Sequence, residues 1–172
     1  MIKDITPEHY AQILRINEQF VHWLSPMDED ELKYVLSIAD YKQQIAEGQG
    51  VLIGYPHDAD YPYHKNLVWL RRHVQDFFYI DRIIIDESSQ GKGYGRRLYQ
   101  DIESYALTRG YEALACEVNT RPDNPGSHKF HEAFGFESIG EENYPSYNKA
   151  VRYYKKNSVS YTHLTLPTIC SV

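Results

Sequence analysis

The chain has little of what marks a cross-linked, metal-bound or membrane protein. Its two cysteines, Cys116 and Cys170, are too few for a disulfide framework. None of its eight histidines pairs with a cysteine at zinc-site spacing, so His57, His64 and His73 are expected at the surface and no metal is expected. No run approaches the ~18 apolar residues of a membrane span, and the first residues lack the apolar core of a signal peptide. Cations are scarce as well: 18 Lys and Arg stand against 24 Asp and Glu, a net charge of −6, which argues against nucleic acid or an anionic membrane as partner. These shortages predict a cytoplasmic globular protein.

At 172 residues, 42% hydrophobic and 24% charged, the sequence supports one domain with a sizeable core. Its one excess is tyrosine, 16 in all, several of them between Tyr55 and Tyr79. Hydrophobic periodicity and punctuation set the order of elements. Met1 to Ile5 reads as a strand. Thr6-Pro7-Glu8 then opens a helix carrying Tyr10, Ile13, Leu14 and Ile16 to about His22. Ser25-Pro26-Met27-Asp28 starts a second helix with Leu32, Val35 and Leu36, ending near Asp40. Tyr41 to Ala46 and Val51 to Tyr55 form a hairpin. Asn66 is expected to cap a short helix from Leu67 to Val74, followed by a strand from Phe77 to Asp86. A helix with Leu98, Ile102, Tyr105 and Ala106 on one face stops at Gly110. Glu112 to Val118 reads as a strand. Asn124-Pro125 caps a helix through Phe134, and Phe136 to Glu142 with Ala150 to Lys155 close the sheet as a hairpin.

The last stretch, Ser158 to Val172, contains no Lys, Arg, Asp or Glu. Val159 to Thr168 resembles the conceptual translation of a transposon-type sequencing adapter. The domain is therefore expected over residues 1–157, with 158–172 a tail that carries no functional weight. A genuine terminal strand is the competing reading, since Val159, Tyr161 and His163 alternate with small polar residues.

Between the strand ending at Asp86 and the helix of Leu98 lies Gln90-Gly91-Lys92-Gly93-Tyr94-Gly95-Arg96-Arg97. A strand, a glycine-rich turn and a helix start together hold phosphate, because the first helical N–H groups have no intrahelical acceptor and the dipole adds partial positive charge. A Walker loop is excluded, since no Lys-Ser or Lys-Thr pair follows these glycines. A dinucleotide fingerprint is excluded too, because Arg96 occupies the position of its third glycine. A solvent-exposed turn is the plain alternative.

The spacing Gln90-x-x-Gly93-x-Gly95 resembles the acyl-CoA pyrophosphate loop of the GNAT acetyltransferase superfamily. Further on, Asn124, Ser127, Phe130 and Gly135-Phe136 match a second segment of that family, and the element order resembles its fold over nearly all of residues 1–157. The resemblance implies a single α/β domain, with a central mixed sheet of six or seven strands flanked by helices and strands that splay at the acyl-CoA site. It implies acetyl transfer from acetyl-CoA to an amine through a ternary complex. The amine belongs to a small molecule or a peptide, and the protein is a monomer or a homodimer.

It also implies roles. Main-chain N–H groups of Gly91, Gly93, Gly95 and Arg96 would hold the pyrophosphate, within a loop that includes Gln90 and Tyr94, while Lys92, Arg96 and Arg97 add charge. Ile83 and Ile85 would offer backbone to the pantetheine, with core packing as the alternative. Asn119 and Asn124 sit where members bind the pantetheine arm, although Asn124 equally fits a helix cap, and Ser127 is a further cofactor-binding candidate. The family's proton-donating tyrosine is replaced by His131, which could serve as general acid if its pKa stays near or above working pH. Glu117 and Asp81 are candidates for the base, with Glu117 favoured. A second reading is a non-catalytic acyl-CoA-binding module lacking that tyrosine. The stretch from Tyr55 to Tyr79, with Asp58 and Asp60, could wall a cationic amine, or be loop and core aromatics.

Overall fold

The computed structural model describes residues 1–158. The tail expectations for Val159 to Val172 lie outside the described residues. The protein is α/β, one open sheet of seven strands in the order β1-β2-β3-β4-β5-β7-β6 with five helices. The strands are β1 Ile2–Asp4, β2 Tyr41–Ile45, β3 Gly50–Pro56, β4 Phe77–Ile85, β5 Ala113–Arg121, β6 Glu137–Tyr144 and β7 Lys149–Asn157. The helices are α1 Tyr10–Glu18, α2 Glu29–Ile38, α3 Lys65–His73, α4 Tyr94–Thr108 and α5 Pro125–Ala133. The chain divides into two compact units, one of Met1–Tyr61 with Tyr79–Ile102, the other of Pro62–Phe78 with the residues from Glu103 onward.

In the first unit β1, β2 and β3 pair antiparallel, Ile2 opposite Ile45 and Tyr41 opposite Gly54. Strand side chains alternate between faces. Val51 and Ile53 accordingly join Ile13 and Ile16 of α1 and Leu32, Val35 and Leu36 of α2 in one apolar cluster. Each such fully buried aliphatic side chain stabilises by roughly 2 kcal/mol. Gly50 lies on the other face, where a Cβ would meet Ile45 at 2.7 Å, Ile85 at 3.1 Å and Leu98 of α4 at 3.5 Å. No side chain fits there, so α4 can pack close. α1 is shorter than the periodicity predicts, because buried Asn17 donates to the Ser25 carbonyl at 3.2 Å and draws the chain into turns.

In the second unit β7 pairs antiparallel with both β5 and β6, Tyr153 standing opposite Glu117 on one side and Gly140 on the other. Adjacent residues of β7 face opposite ways, and each meets a different helix. Tyr153 donates to Asn66 Oδ1 of α3 at 2.8 Å and stacks on Trp69 at 3.9 Å. Tyr154 donates to Glu132 Oε2 of α5 at 2.7 Å. The two helices thus cover opposite faces of this part of the sheet. One expected cap is corrected: His64, not Asn66, caps α3, its Nδ1 accepting from the Leu67 N–H at 3.2 Å. Asn66 is needed inside, as the acceptor of the buried Tyr153 hydroxyl.

Candidate functional site

The glycine turn belongs to the first unit and is built from β4 outward. Asp86 ends the strand, and its main-chain N–H donates to the Gln49 carbonyl at 2.8 Å. Its carboxylate accepts from Arg15 at 2.7 Å, Gln19 at 3.2 Å and the Ser88 N–H at 3.3 Å. The Arg15 hydrogen bond, with that of Gln19, holds this carboxyl below the usual carboxylate range. α1 therefore fixes the point at which the chain leaves the sheet. The turn itself is exposed from Gln90 to Gly93. Gly91 and Gly93 have φ of 84° and 82°, the left-handed region glycine enters without strain. A Cβ on either would meet nothing within 4 Å, so the backbone angle, not crowding, calls for glycine. The first helical hydrogen bond runs from Arg97 N to the Gly93 carbonyl at 3.1 Å. The N–H groups of Tyr94, Gly95 and Arg96 precede it, at the positive end of a 15-residue helix.

Upstream on β4, Ile83 and Ile85 are partly buried. The Asp81 side chain is 3% exposed and both its oxygens have donors, Tyr55 Oη at 2.7 Å and Arg82 Nε at 2.9 Å. Arg82 reaches on to Asn17 Oδ1 at 2.7 Å. This is a buried ion pair with its hydrogen bonds made, and breaking it would strand a charge. Tyr55 and Tyr79 are fully buried and meet edge to face at 5.3 Å, so these two tyrosines are core aromatics.

The second unit carries the other predicted residues. Glu117 is half-buried on β5, and its charge, after burial, helps push the Cys116 thiol well up, so that cysteine stays a buried neutral thiol. The same charge contributes to raising Tyr153, whose largest cause is again burial. β5 is irregular between Asn119 and Arg121 and turns back through a Thr120–Asp123 bridge. Asn124 does cap α5, its Oδ1 accepting from Ser127 N–H at 3.4 Å, while its own N–H donates to the Asn119 carbonyl at 3.2 Å. Asn119, Asn124 and Ser127 are thereby gathered around the start of α5, and His131 stands in its last turn, reaching back to Ser127.

His131 is 4% exposed. Its Nδ1 lies 2.7 Å from the Ser127 carbonyl and 3.3 Å from the Ser127 hydroxyl. A carbonyl only accepts, so Nδ1 carries the hydrogen. Burial pushes the imidazole pKa down to about 4, and the Ser127 bond offsets this only in part. A proton-donating His131 would need a pKa near or above working pH, and burial moves it the other way. Sequence reasoning assigned nothing to His128, whose two nitrogens contact Tyr154 Oη at 2.8 Å and the Asn119 carbonyl at 2.9 Å. Only the fold, which sets β7 beside β5, exposes that bridge. Among the described residues no group of three His, Cys, Asp or Glu is arranged to hold a metal, and no helix is long and apolar enough to cross a membrane.

A seven-stranded open sheet with a glycine turn opening a long helix after β4 is the fold of the GNAT acyltransferases. Solved structures agree. Ard1 from Thermoplasma volcanium superposes with a TM-score of 0.72 at 15% identity, over 91% of this chain and 96% of that one. The ribosomal-protein-S18-alanine N-acetyltransferase from Escherichia coli gives 0.66 at 16%, over 91% and 92%. An N-acetyltransferase from Staphylococcus aureus Mu50 gives 0.65 at 17%, over 92% and 98%. The chain belongs to the acetyltransferase (GNAT) family, whose sequence profile matches residues 10–136, and is an acyltransferase. Members of that family use acetyl-CoA as co-substrate. No curated protein matches the chain by sequence.

Proposed function

We propose that this chain is an N-acetyltransferase that moves the acetyl group of acetyl-CoA to a primary amine of a small molecule or peptide. The observation that carries the reading is the turn at 90–96, where two left-handed glycines present main-chain N–H groups at the start of α4. The N–H groups of Gly91, Gly93, Gly95 and Arg96 take the pyrophosphate, and exposed Lys92, Arg96 and Arg97 supply charge. The main chain at Ile83 and Ile85 receives the pantetheine amides. Asn119, Asn124 and Ser127 of the second unit are the other cofactor-binding residues of this reading.

In the reaction the neutral amine nitrogen attacks the acetyl carbonyl carbon, the C–S bond breaks, and the sulfur takes up a proton. Glu117 removes the ammonium proton, directly or through water. Asp81 has both oxygens hydrogen-bonded and acts instead by holding Arg82 and Tyr55 in place. His131 packs α5 as a neutral ring, and the departing thiolate, with a parent thiol pKa of about 8.5, takes its proton from water. A thiol-release assay with acetyl-CoA against a panel of amines and peptides tests this. Release on at least one amine, abolished by Glu117→Gln, is expected; release on none refutes transfer.

The neutral state of His131, at the place of the family's proton-donating tyrosine, favours one second reading, an acyl-CoA-binding module without turnover. Stabilisation by acetyl-CoA with no thiol release on any acceptor would select it.

A further inference from the structure

The bonds of the Asp81–Arg82 pair use two of the three guanidinium nitrogens. Nε donates to Asp81 Oδ2 at 2.9 Å and Nη1 to Asn17 Oδ1 at 2.7 Å. Nη2 has no hydrogen-bond partner among the described residues, although only 9% of the Arg82 side chain is exposed. Among those residues no buried side-chain nitrogen or oxygen lacks a partner, so Nη2 is where this side chain reaches solvent. Asp81 on β4 and Asn17 of α1 fix a planar fork at two corners and thereby aim the third. Its two N–H groups are donors ordered in advance at the surface of an otherwise buried group.

The surrounding charges decide what these donors can take. Asp81 already balances the guanidinium, and Glu31, in the first turn of α2, is close enough for its charge to act on Arg82. The half-buried Tyr61 hydroxyl lies in the same neighbourhood: burial, then Asp81 and Glu31, push it up, and Arg82 offsets them only in part. One guanidinium thus stands among two carboxylates. A carboxylate brought to Nη2 would be repelled, whereas a neutral carbonyl oxygen gains a charge-assisted hydrogen bond without that cost. Position along β4 decides which molecule brings the oxygen. The glycine turn follows β4, so an arm lying back along the strand passes Ile85 and then Ile83. Arg82 comes next, about 3.3 Å further on, at the thioester end.

We propose that Arg82 is a specificity residue whose Nη2 donates to a neutral carbonyl oxygen next to the acceptor's amine, so that the acceptor is an α-amino amide, as at the free N-terminus of a peptide. This rests on the reading above that the pantetheine lies against Ile83 and Ile85. An acceptor without that carbonyl forgoes one hydrogen bond to a charged group, about tenfold in kcat/KM.

Thiol release from acetyl-CoA by the full chain tests it on matched acceptors: the amide, the free acid and the decarboxylated amine of glycine, alanine, leucine and phenylalanine, with tripeptide amides beginning with each. Every kcat/KM is referred to the unprotonated amine, because the amides are the weaker bases. The amides should exceed the decarboxylated amines about tenfold, and the free acids should not. Tripeptide amides above the simple amides identify a peptide as the source of the carbonyl, and equal values a small amino amide. Arg82→Lys keeps a cation beside Asp81 but has no Nη2. Its kcat/KM should fall about tenfold more for the amides than for the amines, whereas a merely structural role would lower both alike. A wild type that treats amide and amine alike, or prefers the free acids, overturns the proposal even if Arg82→Lys does not fold. An amide preference that survives in Arg82→Lys overturns it too. Release on no acceptor refutes the proposed function, and this inference with it.

Discussion

Replacing His131 with phenylalanine asks directly whether this ring is a buried neutral group or a proton donor. Its pKa is about 4 in the fold against about 6.5 unfolded, so the unfolded chain binds more protons between those values. The native value is depressed. The stabilising neutral ring is therefore fully present above the unfolded value, and its contribution is lost as pH falls from about 6.5 toward 4. Linkage puts the loss between about pH 7 and pH 4.5 at about 2 kcal/mol. Phenylalanine cannot titrate. It forfeits the Ser127 hydrogen bond and crowds Phe130 and Phe136, but those costs are the same at both pH values. Urea unfolding of both proteins at both pH values, with the m-value checked for constancy, gives the double difference. The variant should lose about 2 kcal/mol less than the wild type on acidification. Equal losses would refute the burial argument. Turnover supplies the second readout: His131→Phe should leave the pH profile of kcat unaltered between about pH 6 and 9, and a lost alkaline limb would restore the imidazole as general acid.

Gly93→Ala places a Cβ in open space but at a φ of 82°, so it should cost about 1–2 kcal/mol in melting experiments and reduce the thermal stabilisation given by acetyl-CoA. An unchanged acetyl-CoA shift would remove the turn from the binding site. Gly140→Ala sets a Cβ 2.8 Å from the Trp69 ring, which is already stacked between Tyr153 and His73, and should cost about 1–3 kcal/mol by denaturant unfolding; no loss would mean that the ring moves freely. Asp81→Ala strands the buried Arg82 and should cost about 3–5 kcal/mol, whereas a stable protein that has lost only turnover would make Asp81 the base after all.

The features legible in the sequence are those with a local cause. The second helix was legible, but its start signal at Ser25-Pro26 pointed about three residues too early: Asp28 is the cap, its carboxylate accepting from Glu31 N–H at 2.8 Å. The Asn124 cap and the left-handed Gly110 that closes α4, at a φ of 83°, are local as well. The glycine turn was legible too, since its spacing alone excluded the Walker and dinucleotide loops. The misplaced α3 cap shows the limit. Asn66 and His64 are both competent acceptors, and the choice fell to Tyr153, 87 positions further along the chain. His131 shows it again: its depressed pKa comes from a burial that neighbouring sequence does not announce.

By itself, then, the sequence determined the order of strands and helices, the phosphate-type turn and, through two spaced segments, the family resemblance. All of these depend on hydrogen bonds and backbone angles within a turn or two. The tertiary structure decided what depends on distant partners. It placed β7 between β5 and β6, turned Tyr153 toward Asn66 and Tyr154 toward Glu132, closed both oxygens of Asp81 and buried His131 as a neutral ring. Protonation state and hydrogen-bond partnership are set by the dielectric and the donors surrounding a group, and these are assembled only when remote strands meet.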